Sequence, residues 1–252
     1  MIKHLCGYVL SAAIKDKIFI LYAVLVGVIL SLSLFFGTSA VTEQDQFSVV
    51  FTSGALRITS AFTLVLFIIF YFRRSFDNRD VDFLFSRPIT RLQFILAHFI
   101  SFCLISLVIT IITCLCVLLL VPSDLHGAAV IWSATIFFEL VILSAVSIFF
   151  GVALSTAVSA TLVTIAFYML ARLMGDIIGI LKTGVSSFVT EILGFVMTLI
   201  SFFIPRLDLI GQTSWLVYGV EDFNFLALGA QLIIFLGLIL SATYLDLKRR
   251  QF

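Results

Sequence analysis

The chain has 252 residues, 62% hydrophobic and 12% charged, with a net charge of +1. A soluble domain carries about 25% charged residues, so this composition excludes an ordinary soluble globular protein. The near-neutral balance suggests no nucleic-acid partner.

The opening MIKHLCGYVLSAAIKDK lacks a short apolar core followed by a small-residue cleavage site, so no removed signal peptide is expected. Residues 2–16 read as a weakly amphipathic helix, with Ile2, Leu5, Val9 and Ala12 or Ala13 at helical spacing and lysines at its ends. Such a helix suits the headgroup layer, and 1–17 is expected to be interfacial. Apolar runs then recur, several longer than the ~18 residues needed to cross a hydrocarbon core of about 30 Å. Spans are predicted near 18–36, 52–72, 93–121, 130–150, 158–174 and 224–245. A polar loop follows the first, and Pro122 stops the third. No alternating segments of the kind that build a membrane barrel are present. Four cysteines, Cys6, Cys103, Cys114 and Cys116, show no CxxC or Cys/His metal spacing and read as small buried hydrophobes. The three histidines are scattered and read as structural.

Residues 172–222 break the pattern. Eight charges surround one apolar piece, ILGFVMTLISFFI, at 192–204. As a helix that piece would be about 20 Å long, short for a span. It is predicted to be a re-entrant or interfacial hairpin on the outer side. The fold class is therefore an all-α polytopic membrane protein: an N-terminal interfacial helix, six transmembrane helices, and a re-entrant outer region between the fifth and sixth. The whole of 1–252 reads as one membrane domain.

Charge asymmetry supports that count. With the N-terminus inside and six crossings, Lys3, Lys15, Lys17, Arg73, Arg74, Arg79, Arg87, Arg91, Lys248, Arg249 and Arg250 face the cytoplasm. Arg57, Arg172, Lys182 and Arg206 lie outside or embedded. The excess follows the positive-inside rule, and a seventh crossing would send the Lys-Arg-Arg tail outside.

The densest charge lies in RRSFDNRDVDFLFSRPITR, residues 73–91, with five arginines and three aspartates. A loop that only joined two spans would need a few residues. This one also carries Phe76, Val81, Phe83, Leu84 and Phe85. It reads as a short helix ended by Arg87–Pro88, because the residue before proline is pushed out of the α region. Thr90 and Gln93 then have capping-box spacing at the head of the third span. Two readings stand: a topogenic loop with interfacial aromatics, or a docking surface for a cytoplasmic partner. Mixed charge beside exposed Phe and Leu fits docking better than lipid contact.

Two charges fall within predicted spans, Arg57 and Glu139. A charge at the bilayer centre costs about 2.5–3.5 kcal/mol on insertion scales. Their predicted depths differ by about 5 Å at 1.5 Å per residue, which a long arginine can close. An Arg57–Glu139 interaction is one expectation. A neutral or snorkelling Glu139, with Arg57 reaching the outer headgroups, is the other.

The stretch FDNRDVDFLFSRPITRLQFILAHFI resembles the segment between the second and third spans of type-2 ABC transporter permeases. There an acidic, roughly helical segment precedes a Leu-x-Ser-x-Pro-x-Ser/Thr-Arg motif. Here that motif is Leu84-Phe85-Ser86-Arg87-Pro88-Ile89-Thr90-Arg91. Asp77, Asp80 and Asp82 stand where family members usually carry Glu and Gly. FFIPRLDLI at 202–210 resembles the Pro-Asn-Leu-x-x-Phe motif before the last span, with Arg206 replacing Asn, and LDLKRRQF resembles an Arg-Arg-Asp-Phe terminus. The resemblance implies a permease domain over 1–252 and a coupling helix at 74–87 within a cytoplasmic coupling segment, 73–91. That helix would seat in a separate ABC ATPase subunit through Arg74, Asp77, Asp80, Asp82, Phe83, Arg87, Pro88 and Arg91.

The chain has no Gly-x-x-x-x-Gly-Lys-Ser/Thr phosphate loop. It is therefore expected to be non-catalytic and to bind no cofactor, with ATP and Mg on the partner ATPase. The implied working unit contains two ATPases and two permease chains, as a homo- or heterodimer, among membrane lipids. The implied location is a bacterial plasma (inner) membrane with both termini cytoplasmic. Phe-rich spans suit outward movement of a lipid-like or amphipathic cargo. An intramembrane enzyme is disfavoured, because no nucleophile–base or metal constellation occurs. An ATP-independent transporter or assembly factor is the alternative, and spans almost free of proline weigh against the transporter.

Overall fold

A computed structural model describes residues 2–39, 44–78, 90–183, 193–194, 196–197, 200, 204–220 and 225–249. It contains eight α-helices, α1 Ile2–Lys15, α2 Ile18–Ser39, α3 Gln44–Asp77, α4 Arg91–Leu118, α5 His126–Ala153, α6 Ala157–Thr183, α7 Trp215–Tyr218 and α8 Phe225–Arg249, among the described residues. Short 3-10 turns lie at Ser123–Leu125 and Leu207–Leu209. No strand occurs among the described residues. Six helices (α2, α3, α4, α5, α6 and α8) are long and apolar enough to cross a membrane. The chain thus has the architecture of an all-α polytopic membrane protein.

Helix α5 is the axis of the bundle. The share of its most apolar window buried inside the protein is 72%, against 22% for α2 and for α8. It packs against α3, α4, α6 and α8. Its buried face mixes large side chains, Trp132 and Ile136, with small ones, Ser133, Ala145 and Gly151. Small residues let helices approach closely where no hydrophobic drive separates protein from lipid. Gly151 lies against Phe72 of α3, where an added Cβ would meet the ring at ordinary van der Waals distance, 3.6 Å. Outer faces of the peripheral helices stay apolar and exposed, as at Leu34, Phe35, Leu162 and Ile233. Exposed aliphatic belts of this kind suit hydrocarbon.

Several boundaries differ from those expected. Helix α3 begins at Gln44, inside the predicted polar loop, and runs 34 residues to Asp77. The sequence reading expects a separate helix over 74–87, but Arg74 and Asp77 belong to the last turns of α3. Nothing between Phe67 and Asp77 breaks a helix, and Phe72 and Phe76 stack one turn apart at 6.4 Å. An Arg73–Asp77 ion pair at 3.5 Å adds support at i,i+4 spacing. Asp80, Asp82, Phe83, Arg87 and Pro88 lie outside the described residues. Helix α6 continues through Arg172 and Asp176 to Thr183, so the first part of the predicted 172–222 region belongs to the fifth span. Most of 192–204 also lies outside the described residues.

The capping box and the stop before Pro122 expected from the sequence are both present. Thr90 caps α4: its hydroxyl accepts from the Gln93 N–H at 3.3 Å, and its own N–H donates to Gln93 Oε1 at 3.2 Å. Helix α4 ends before Pro122. Helix α1 packs against α4, burying Leu5, Val9 and Ala13. All four cysteines are free and partly buried.

Candidate functional site

Charged residues gather at two places, one at each end of the bundle. The first surrounds the junctions of the 79–89 segment. Arg74 Nη1 donates to Asp16 Oδ1 at 3.0 Å, in a two-point ion pair that ties α3 to the end of α1. Arg73 donates to the Leu154 carbonyl at 3.3 Å, capping the C-terminal end of α5. Arg91 donates to the Leu247 carbonyl at 2.6 Å, in the last turn of α8. A cation beside the open carbonyls of a helix C-terminus is favourable both as hydrogen bond and against the macrodipole.

These three arginines fasten both ends of the segment to α1, α5 and α8. Directly behind lies a dense aromatic layer. Phe94 and His98 approach to 4.2 Å between ring centroids, and Phe72 and His98 to 5.3 Å. His98 is fully buried, with Nδ1 2.8 Å from the Phe94 carbonyl oxygen. Displacement at Arg74 or Arg91 would therefore move whole helices rather than a slack loop.

The second place is embedded in the opposite half. Here the chain between α6 and α8 turns inward as irregular backbone over 204–214, with the buried residues Leu207, Ile210 and Gly211. Irregular backbone at membrane depth requires donors for its carbonyls. Arg172 of α6 donates to the Leu207 and Ile210 carbonyls and, at 3.2 Å, to that of Gly211. Arg57 of α3 donates to the Gly211 carbonyl as well. Thr135 of α5 accepts the Gly211 N–H at 3.1 Å. Two cations and one hydroxyl from three spans thus hold the loop.

Gly211 sits at φ +61°, and a Cβ there would lie 2.9 Å from Ile136 Cδ1 and 3.4 Å from Glu139 Oε2. A Cβ at Gly175 would run into the Asp208 carboxylate, which is itself paired with Arg206 at 2.7 Å. Both glycines are close-approach positions. Beside the loop lies a polar crevice of about 290 Å³ lined by Arg172, Asp176, Asp208, Gln212, Thr213 and Ser214.

Glu139 is 1% exposed; the Tyr168 hydroxyl is its hydrogen-bonding neighbour, and neither guanidinium group bonds its carboxylate directly. Arg57, Arg172 and Tyr168 surround it and act on it electrostatically. The expected Arg57–Glu139 proximity is present, since Arg57 Cδ and Glu139 Oε2 flank the same Gly211 Cβ position. The direct bond is not: Arg57 bonds the loop instead, and its Nε is unpartnered. Sequence reasoning missed Arg172, Thr135, Tyr168 and Gly211 as companions. One signal was present: the apolar run continues past Arg172 as LMGDIIGIL, which places that residue inside a span rather than after one.

Among the described residues, no group of His, Cys, Asp and Glu could hold a metal ion. No protein-family model matches the chain, and no curated protein matches it.

Proposed function

We propose that the chain is the membrane subunit of an ATP-driven exporter of the type-2 ABC class, in a bacterial plasma membrane with both termini cytoplasmic. In this reading α1 lies in the cytoplasmic headgroup layer, and the loop over 204–214 belongs to a re-entrant region on the outer side. A separate ABC ATPase docks on the segment after α3, through Arg74, Asp77, Asp80, Asp82, Phe83, Arg87, Pro88 and Arg91. Two such chains and two ATPases form the working unit, and ATP with Mg is bound by the ATPases.

The observation that carries the reading is the clamping of both ends of the 79–89 segment. Arg74–Asp16 and Arg91–Leu247 tie its junctions to α1 and α8, so a push on it reaches four helices at once. That rigidity is unnecessary in a loop that only sets topology. It is what force transmission requires, because packed helices shift as units. The charged motif and its order relative to the spans give the type of partner.

A lipid-like cargo is supported by an apolar groove of about 750 Å³ between α2 and α3. It is lined by Leu21, Leu25, Phe62, Leu66 and Phe70, and the Arg74–Asp16 pair stands at one end.

A photo-crosslinking amino acid at Asp80, with a second one at Leu34 on the lipid-facing side of α2 as control, tests the reading. The expected result is a covalent adduct with an ATP-hydrolysing protein from position 80 alone. Equal adducts from both positions, or none that binds ATP, contradict it.

A further inference from the structure

The geometry points to a two-position latch. We propose that the Pro205–Gln212 loop is a gate held shut by Arg57 and Arg172, and that Glu139 is the acceptor to which these guanidinium groups pass when the loop leaves. The inference concerns the half of the bundle away from the charged segment, and it stands whether or not an ATPase binds there.

Three observations converge. First, both guanidinium groups donate hydrogen bonds to carbonyls of this single loop, at Leu207, Ile210 and Gly211. Second, Glu139 is buried beside the loop with the Tyr168 hydroxyl as its hydrogen-bonding neighbour and no bond from either guanidinium group, while Arg57 Nε is an unsatisfied donor in the same place. Buried polar groups in folded proteins are nearly always bonded, so an orphan Arg57 donor beside a carboxylate that it does not bond needs a reason. A carboxylate placed only to neutralise these cations would gain most from bonding them directly. Third, the loop ends on the polar crevice at Gln212, Thr213 and Ser214, where departing carbonyls would meet water.

The two positions then satisfy different groups. With the loop docked, its carbonyls are bonded inside the protein, and Glu139 keeps Tyr168 and the attraction of the two cations without bonding either. With the loop withdrawn, water bonds the carbonyls, and the stranded guanidinium groups bond Glu139. Neither position leaves a bare cation in the bundle, which is the arrangement a switch between two packed states requires. Without Glu139, opening would strand two cations in a low-dielectric interior, where an unpaired charge is expensive. The carboxylate therefore lowers the cost of opening more than it stabilises the closed loop. Gly211 at φ +61° lies at the end of the loop and Gly219 at φ +87° directly follows α7, so the turn that carries α7 has backbone freedom on both sides.

The test uses the full chain in lipid nanodiscs, where both faces are reachable, with the four native cysteines replaced by Ala. A reporter Ile210→Cys is 1% exposed in the docked loop, so its reaction with a charged maleimide reads opening. Ser214→Cys, at an exposed position, reports that the chain is folded. Exchanging a charge-assisted bond for a neutral one should make Ile210→Cys labelling about tenfold slower in Glu139→Gln. Arg172→Gln should make it faster. Hydrogen exchange of the 206–212 amides, which needs no reporter cysteine, should follow the same order. Labelling that is unchanged or faster in Glu139→Gln, with Ser214→Cys unaffected, overturns the latch and leaves Glu139 as a fixed counter-charge.

Discussion

At the Asp77 end of the bundle, arginines bond helix-end carbonyls close to the surface; in the opposite half, arginines bond loop carbonyls inside it. The donor is a guanidinium group in both places; near the surface Arg73 and Arg91 bond carbonyls and Arg74 the Asp16 carboxylate, and the surroundings differ. Arg74 is half exposed and its partner Asp16 about a third exposed, so water and salt share the pair. Such exposed pairs contribute about 0–1 kcal/mol. Arg172 reaches three carbonyls of a buried loop beside a buried carboxylate. There, removing the donor leaves the Ile210 carbonyl with no protein donor, while the Leu207 carbonyl keeps only the Ile210 N–H and the Gly211 carbonyl keeps only Arg57. The comparison teaches that the surface arginines act as positioners, while the embedded ones decide whether a piece of backbone can exist at that depth.

Substitutions should separate the two roles. The largest effect is expected from Arg172→Ala, which removes the donor to three carbonyls at once. A loss of about 3 kcal/mol follows from unsatisfied buried acceptors, read as the greatest fall in thermal midpoint in detergent. An Arg172→Ala midpoint equal to that of Arg74→Ala would break the contrast.

Next comes Gly211→Ala. A left-handed φ costs a residue with a Cβ about 1–2 kcal/mol, and the new methyl would press on Ile136 Cδ1. Because that atom ends a flexible side chain, the cost should stay below that of Arg172→Ala in the same melt.

Thr90→Ala should cost about 1 kcal/mol through loss of the capping box, while Thr90→Ser keeps the hydroxyl and should restore most of it. Hydrogen exchange at the first turn of α4 resolves this better than a global melt.

The smallest effect is expected from Arg74→Ala, under about 1 kcal/mol. Raising salt should weaken the native Arg74–Asp16 tie and bring native and variant chains together. Trypsin cleavage at Lys15 and Lys17, exposed at the foot of α1, reads the loosening.

How much of this could be read from the chain follows from what each signal depends on. The six long helices were legible because crossing a bilayer demands apolar length, which is a local property. The cap at Thr90 was legible because its spacing is fixed by helix geometry. The end of α3 is not legible, because a run of charge looks like a boundary in sequence. A helix ignores a change of solvent unless a residue such as proline breaks it, and none stands between Arg73 and Asp77.

The embedded site was half legible. Arg57 and Glu139 stood out as charges in hydrocarbon, and their closeness followed from depth alone. Their partners did not, because Arg57 bonds backbone brought in from 154 residues away. Carbonyl acceptors carry no side-chain signature, so Gly211 and Leu207 look ordinary in sequence. Arg172 was assigned to the outer region for the same reason that α3 was ended early.

One measurement bears most directly on the central claim that the segment after α3 seats a partner ATPase. The tagged chain is purified in mild detergent, native and with Asp80→Arg plus Phe83→Ala, and ATP hydrolysis is measured per mole of chain. The account predicts activity that copurifies with the native protein and is lost in the variant, while both retain the same thermal midpoint. ATPase absent from both, or retained equally by both, would contradict it.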